Sequence, residues 1–150
     1  MSSLNRRGCE PLDAVTLDLS ELREVYGERD LRMLLNIALD EFDCQRLLFE
    51  AAFERKQWNP AAHALHRLTG TVAFFVGDER ALEPLSRLER ALRLHQVALA
   101  ERAAGQARAT LVAFRAAFAA EQREVCNTTE EIDAHRAECR PGSGAARERG

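Results

Sequence analysis

The chain has 150 residues, of which 46% are hydrophobic and 30% are charged, and its formal net charge is −3. This size and composition indicate one globular domain with a proper core, and the acidic balance gives no support for nucleic-acid binding, which leaves a basic footprint. No apolar run approaches the ~18 residues of a membrane span, and the N-terminus lacks the apolar segment of a signal peptide. We therefore expect a cytoplasmic protein without a membrane partner.

Both ends of the chain are polar. Residues 1–17 are predicted to form a flexible lead-in, and residues 127–150, which include a Pro-Gly-Ser-Gly run, are predicted to form a polar, disordered tail. Lys56 is the single lysine, whereas arginine and alanine are frequent, a bias that indicates a GC-rich bacterial genome. The cysteines form no CxxC pair and are expected to be free thiols: Cys9, Cys44, Cys126 and Cys139.

Two helices are predicted in the first third of the chain. Asp18 and Glu21 have the spacing of a capping box, and Gly27 is a natural stop for the short helix that follows. A long helix is then predicted over residues 28–56. Its inward stripe consists of Leu31, Leu35, Ala38, Phe42, Phe49 and Ala52, with Leu34 and Leu48 widening it.

The next predicted helix runs from Asn59 to about Val76. Asn59 is a good N-cap and Pro60 suits the first helical position. Apolar residues recur at spacings of three and four, at Ala61, Leu65, Leu68, Val72 and Phe75. The opposite, exposed face is predicted to carry Ala62, His66, Gly70, Ala73 and Gly77. Because glycine inside a helix costs about 1 kcal/mol relative to alanine, Gly70 indicates a surface that another molecule approaches closely.

Two further helices complete the pattern. One is predicted to start near Arg80, which keeps Pro84 in its first turn, with the stripe Leu82, Leu85, Leu88 and Leu92. It ends somewhere between His95 and Ala103. The last carries Ala107, Leu111, Phe114, Phe118 and Val125, flanked by Val112. Since no run alternates as a strand does, we predict an all-α fold: an antiparallel up-down-up-down four-helix bundle over residues 18–126 with a short extra N-terminal helix.

The segment His66-Arg67-Leu68-Thr69-Gly70 resembles the His-x-Leu-Lys-Gly core of histidine-containing phosphotransfer (HPt) domains. A Leu-x-x-Leu-Glu pattern follows at Leu85-Ser86-Arg87-Leu88-Glu89, and the resemblance covers roughly residues 19–125. It implies a phosphorelay intermediate without autonomous kinase activity, in which His66 exchanges a phosphoryl group with the aspartate of a receiver domain. The partners implied are response-regulator receiver domains, a hybrid sensor histidine kinase, or both.

The resemblance also implies which groups support the histidine. The chain needs no cofactor of its own, because the receiver is expected to bring Mg²⁺, a lysine and the acceptor aspartate. Ala62, Ala73 and Gly77 are expected to form the receiver docking face beside Gly70. The family lysine is replaced by Thr69, whose hydroxyl is free to bond to the Leu65 carbonyl. Arg67 and His63 are the nearby candidates for compensation.

Two alternatives remain at this point. A helical adaptor without phosphate chemistry would bind its partner through the small-residue face around Gly70, and it would tolerate the loss of His66. A metal site is the weaker alternative. His63 and His66 are three residues apart, and His135 and Cys139 are four apart, but neither pair has the further ligands of a closed zinc site. Whether the chain acts alone or as part of a hybrid kinase also stays open.

Overall fold

Helices make up most of the described structure. The computed structural model describes the backbone of residues 15–138 and the side chains of residues 15–124. Within these limits there is no strand beyond a single bridge between Leu17 and Val76. The helices are α1 (Ser20–Glu54), α2 (Trp58–Ala73), α3 (Glu83–Arg93) and α4 (Val97–Glu138), with a 3₁₀ turn at Glu79–Leu82. The all-α fold class predicted from the sequence is confirmed.

The four helices enclose one core. The main contacts join α1 to α2 and α4, and join α3 to the same two helices. In the four long helices, the predicted inward stripes are buried at every position whose side chain is described, which confirms the helical periodicity read from the sequence. Fully burying one such leucine or phenylalanine stabilises the fold by about 1.5–3 kcal/mol. The largest buried side chains include Phe42, Phe49, Leu65, Leu68, Leu85, Leu88, Leu92, Leu111, Phe114 and Phe118.

Leu48 departs from the predicted stripe. It was expected to widen the inward face of α1, but it is 54% exposed. At about 100° per residue, Leu48 lies roughly 120° from the centre of the buried row formed by Leu35, Phe42 and Phe49. The two neighbours of α1 do not reach that far around the helix. Val112, which was placed beside the stripe of α4, is exposed for the same reason.

The helix α1 is interrupted at Gly27. Its φ of 77° and ψ of 170° are not helical, and glycine is the residue that adopts this region without strain. The stop predicted at Gly27 is therefore present as a break between two helical stretches. Asp18 accepts hydrogen bonds from the backbone N–H and the hydroxyl of Ser20, which also lower its pKa.

Several predicted boundaries are wrong by one or more residues. Helix α2 begins at Trp58 with Gln57 at the N-cap, so Asn59 lies inside the helix and Pro60 is its third residue. Proline is tolerated there because the first four N–H groups of a helix have no partner within it. Helix α3 ends at Arg93 and α4 starts at Val97, with His95 in the left-handed region at φ 54°.

Helix α4 continues past the predicted end of the bundle. The sequence places a polar tail from residue 127, whereas the backbone is helical through Glu138. The rest of that tail, the first fourteen residues of the predicted lead-in and the side chain of Val125 lie outside the described residues. None of the described helices combines the length and the hydropathy that crossing a bilayer requires.

Candidate functional site

His66 lies in the middle of α2 and points outward. Its side chain is 65% exposed, while its neighbours Leu65 and Leu68 are fully buried in the core. The Nδ1 atom of the ring lies 3.0 Å from Oε1 of Glu89 on α3. The backbone of His66 is thus fixed by core packing, and one edge of its imidazole is fixed by a neighbouring helix. The other edge carries Nε2.

Glu89 is the residue that orients this ring. Its side chain is only 15% exposed, and its Oε1 also accepts a hydrogen bond of 2.9 Å from Nε of Arg93. An ionised carboxylate can only accept hydrogen bonds, so the neutral ring must carry its proton on Nδ1. The Nε2 atom of His66 is then the unprotonated nitrogen with an available lone pair. The site therefore offers one exposed nitrogen nucleophile, Nε2 of His66.

Arg67 points toward a different neighbouring helix from His66. Its Nη2 donates a 2.8 Å hydrogen bond to Oε1 of Glu41 on α1. Consecutive helical residues diverge by about 100°, so His66 faces α3 while Arg67 faces α1. Arg67 was one of the two candidates to assist His66, and the structure engages it elsewhere. His63, the other candidate, is exposed one turn before His66.

Thr69 is bonded within its own helix. Its Oγ1 donates a 2.9 Å hydrogen bond to the carbonyl of Leu65, and the side chain is half-buried. The sequence indicated this bond to the Leu65 carbonyl as one that the Thr69 hydroxyl could form. Because the hydroxyl proton is used there, Thr69 has no donor left for an anion bound at His66.

The predicted small-residue face is only partly present. Gly70 is exposed, and a Cβ built on it would have no neighbour within 4 Å. Ala73 is exposed as well. Ala62 was expected on this face, but it is 1% exposed and belongs to the core. A projection onto one helix takes no account of the neighbouring helices, which cover Ala62.

Gly77 was also expected on the docking face, and it lies elsewhere. It follows α2, which ends at Ala73, so it shares no helical face with His66. A Cβ at Gly77 would lie 3.2 Å from the Cβ of Asp18. In this region the N–H of Asp18 donates to the carbonyl of Phe75 at 3.0 Å. Gly77 thus allows the segment before α1 to pass close to the end of α2.

Beside Glu89 lies an open, shallow pocket. It is lined by Ser86, Glu89, Arg90, Arg93 and Leu94, so two guanidinium groups border one carboxylate. Among residues 15–124, no group of three or more His, Cys, Asp or Glu side chains is arranged to hold a metal ion. His135 and Cys139, the second candidate metal pair, lie outside the described side chains.

Sequence reasoning did not assign a role to Glu89 or Arg93. The Leu-x-x-Leu-Glu pattern includes Glu89, but the pattern itself does not say that the carboxylate meets the His66 ring. That contact joins residues 23 positions apart and depends on how α2 packs on α3. The spacing of Glu89 and Arg93, four apart on one helix, was the available signal for their ion pair.

Comparisons of the chain with family models, with curated proteins and with solved structures found no match.

Replacing Glu89 by leucine should weaken the preference of the His66 ring for the tautomer with its proton on Nδ1. The expected effect is a several-fold loss of preference for the proton on Nδ1, since a bond worth about 1 kcal/mol corresponds to roughly fivefold. The measurement is the pattern of couplings between ring nitrogens and ring protons in ¹⁵N-histidine-labelled protein. Glu83→Leu, which removes the partner of Arg87 on the same helix, is the control and should leave His66 unchanged. An identical tautomer in Glu89→Leu would contradict the role assigned to this carboxylate.

Proposed function

We propose that this chain is a histidine phosphotransfer protein or domain of a multistep two-component phosphorelay. His66 accepts a phosphoryl group from the aspartate of one receiver domain and donates it to that of another. The observation that carries the proposal is the arrangement of one exposed imidazole, with Nδ1 held by Glu89 and Nε2 open to a partner. The resemblance of His66-Arg67-Leu68-Thr69-Gly70 to the HPt core supports the same function.

The transfer step follows from this tautomer. The lone pair on Nε2 attacks the phosphorus of an aspartyl phosphate, and the P–N bond forms as the bond from phosphorus to the carboxylate oxygen breaks. The electron pair of that bond leaves with the aspartate carboxylate. The ring keeps its Nδ1 proton and gains positive charge, which the carboxylate of Glu89 stabilises from the other side. Donation to the next aspartate is the reverse of this step.

In this proposal the chain holds His66 in position, and it does not supply a complete set of catalytic groups. Phosphoryl transfer depends mainly on alignment and on compensation of charge. A histidine on a rigid helix provides the first, and the receiver domain is expected to provide Mg²⁺, a lysine and the aspartate. We therefore propose a phosphotransfer intermediate without autonomous kinase activity. The proposal includes a cytoplasmic location, the up-down-up-down order of the four helices and the separate short helix before Gly27.

The docking surface proposed for the receiver is centred on His66, Gly70 and Ala73. Gly70 is one turn after His66 and has open space above its backbone. A receiver domain must bring a buried aspartate to within bonding distance of Nε2. The residues around the ring therefore need small side chains that do not obstruct its approach. Ala62 and Gly77 are not part of the surface that we propose.

Replacing His66 by glutamine should abolish labelling of the chain. The donors are a panel of bacterial receiver domains carrying radiolabelled aspartyl phosphate, and the measurement is acid-labile label on this protein. His63→Gln is the matched control and should be labelled like the wild type. Because both side chains are exposed, neither substitution should change the melting temperature appreciably.

Label that persists in His66→Gln and disappears in His63→Gln would move the site by one turn. A wild-type chain that accepts no label from any receiver, yet still binds one, would favour the adaptor function over phosphotransfer.

Replacing Gly70 by leucine should block transfer from a receiver but not the chemistry at His66. The small donor phosphoramidate should label Gly70→Leu at the wild-type rate, whereas transfer from a phosphorylated receiver should fall by at least tenfold. The side chain would stand where the partner has to approach. The helix should gain about 0.5–1 kcal/mol, because leucine is the better helix former and the site is open.

Gly105 in α4 offers the matched control, since it is also exposed within a helix and has open space around it. Gly105→Leu should show the same gain in stability and normal transfer. Equal transfer by Gly70→Leu and Gly105→Leu would show that the receiver does not dock over Gly70.

A further inference from the structure

A phosphoryl group on His66 adds negative charge at the surface of α2. At neutral pH the group carries nearly two negative charges, and the single positive charge that the ring gains is already balanced by the Glu89 carboxylate on its other side. The negative charge of the phosphoryl group is therefore not balanced by the ring and Glu89, and a cation beside it would stabilise the phosphorylated form. Two polar neighbours of His66 on α2 make their hydrogen bonds elsewhere. Thr69 donates to the carbonyl of Leu65, and Arg67 donates to Glu41.

Arg93 is the cation that the structure places at the ring. Its Nε and the Nδ1 of His66 bond to the same oxygen of Glu89, so these two nitrogens lie within about 6 Å of each other, the sum of two hydrogen-bond lengths. The side chain of Arg93 is 53% exposed and can change rotamer without disturbing the core. Its contact with Glu89 uses Nε, which leaves the two terminal nitrogens for a second acceptor.

We infer that Arg93 binds the phosphoryl group carried on Nε2 of His66 and acts as its compensating cation. This inference rests on the proposed function. Before transfer, Arg93 neutralises Glu89, so the ring, the carboxylate and the guanidinium together carry no net charge. After transfer, the terminal nitrogens of Arg93 turn to the phosphoryl oxygens, where arginine can form two parallel hydrogen bonds. The ring keeps its proton on Nδ1 throughout, and Glu89 continues to accept the hydrogen bond from it.

This assignment predicts the protonation behaviour of the phosphoryl group. A cation beside the dianion favours the dianion, so it lowers the pH at which the group takes up its second proton. Removing the cation should raise that pH. Because Arg93 is half-exposed, solvent screens the interaction, and we expect a shift of about half a pH unit, a threefold change in proton affinity. The shift should shrink at high salt.

The experiment uses the full chain phosphorylated with phosphoramidate and follows the ³¹P chemical shift as a function of pH. Arg93→Met should raise the titration midpoint, and Arg93→Lys should recover most of the wild-type value because it restores the charge. Arg87→Met is the matched control: Arg87 also lies on α3, pairs with a glutamate four residues before it, and is 55% exposed. It should titrate like the wild type. Arg93→Gln replaces the methionine variant should that one fail to fold.

The outcomes separate this inference from the proposed function. A phosphohistidine signal that is absent from the wild type, or that survives in His66→Gln, contradicts phosphotransfer at His66 and the role of Arg93 with it. A signal that depends on His66 but has the same midpoint in the wild type and in Arg93→Met overturns the role of Arg93 and leaves the proposed function standing.

Discussion

The hydrogen bond between Glu89 and Nδ1 of His66 is the contact on which the whole site depends. It joins α2 to α3 across the surface of the bundle and selects the nitrogen that remains reactive. Without an acceptor at Nδ1, an exposed imidazole could protonate at either nitrogen and rotate about its side-chain bonds. The hydrogen bond to the partly buried carboxylate favours one tautomer and one ring orientation. The orientation of the His66 ring is therefore a consequence of how two helices pack.

Near His66, side chains of helix α2 form hydrogen bonds to both neighbouring helices. His66 bonds to Glu89 on α3, and the next residue, Arg67, bonds to Glu41 on α1. Both contacts are partly exposed ion pairs or hydrogen bonds, which are individually worth little to stability. Their value lies in geometry, because they hold the outward face of α2 in one rotational setting above a core formed by Leu65 and Leu68. A partner that meets this face finds a fixed ring beside the open backbone at Gly70.

Periodicity predicts the core of this chain well and its surface only in part. The buried stripes follow from the 3.6-residue repeat alone, and so does the outward direction of His66. Ala62 and Leu48 were misplaced because burial also depends on how far each neighbouring helix extends. The sequence pattern of a single helix does not contain that information. Gly77 was misplaced because α2 ends four residues before it. The role of Glu89 could not be predicted from spacing, since its contact depends on the packing of α2 against α3 and not on any local repeat.

The isomer of the phosphohistidine shows whether Glu89 determines which nitrogen of His66 accepts the phosphoryl group. In the ¹⁵N-histidine-labelled chain, phosphorylated from a receiver domain, the one-bond coupling from phosphorus identifies the nitrogen that carries the group. We expect coupling to Nε2 of His66, the ring nitrogen that also couples to both carbon-bound ring protons. Phosphorus bonded to Nδ1 instead would contradict the role of Glu89, because that nitrogen would have to give up its proton and its bond to Glu89.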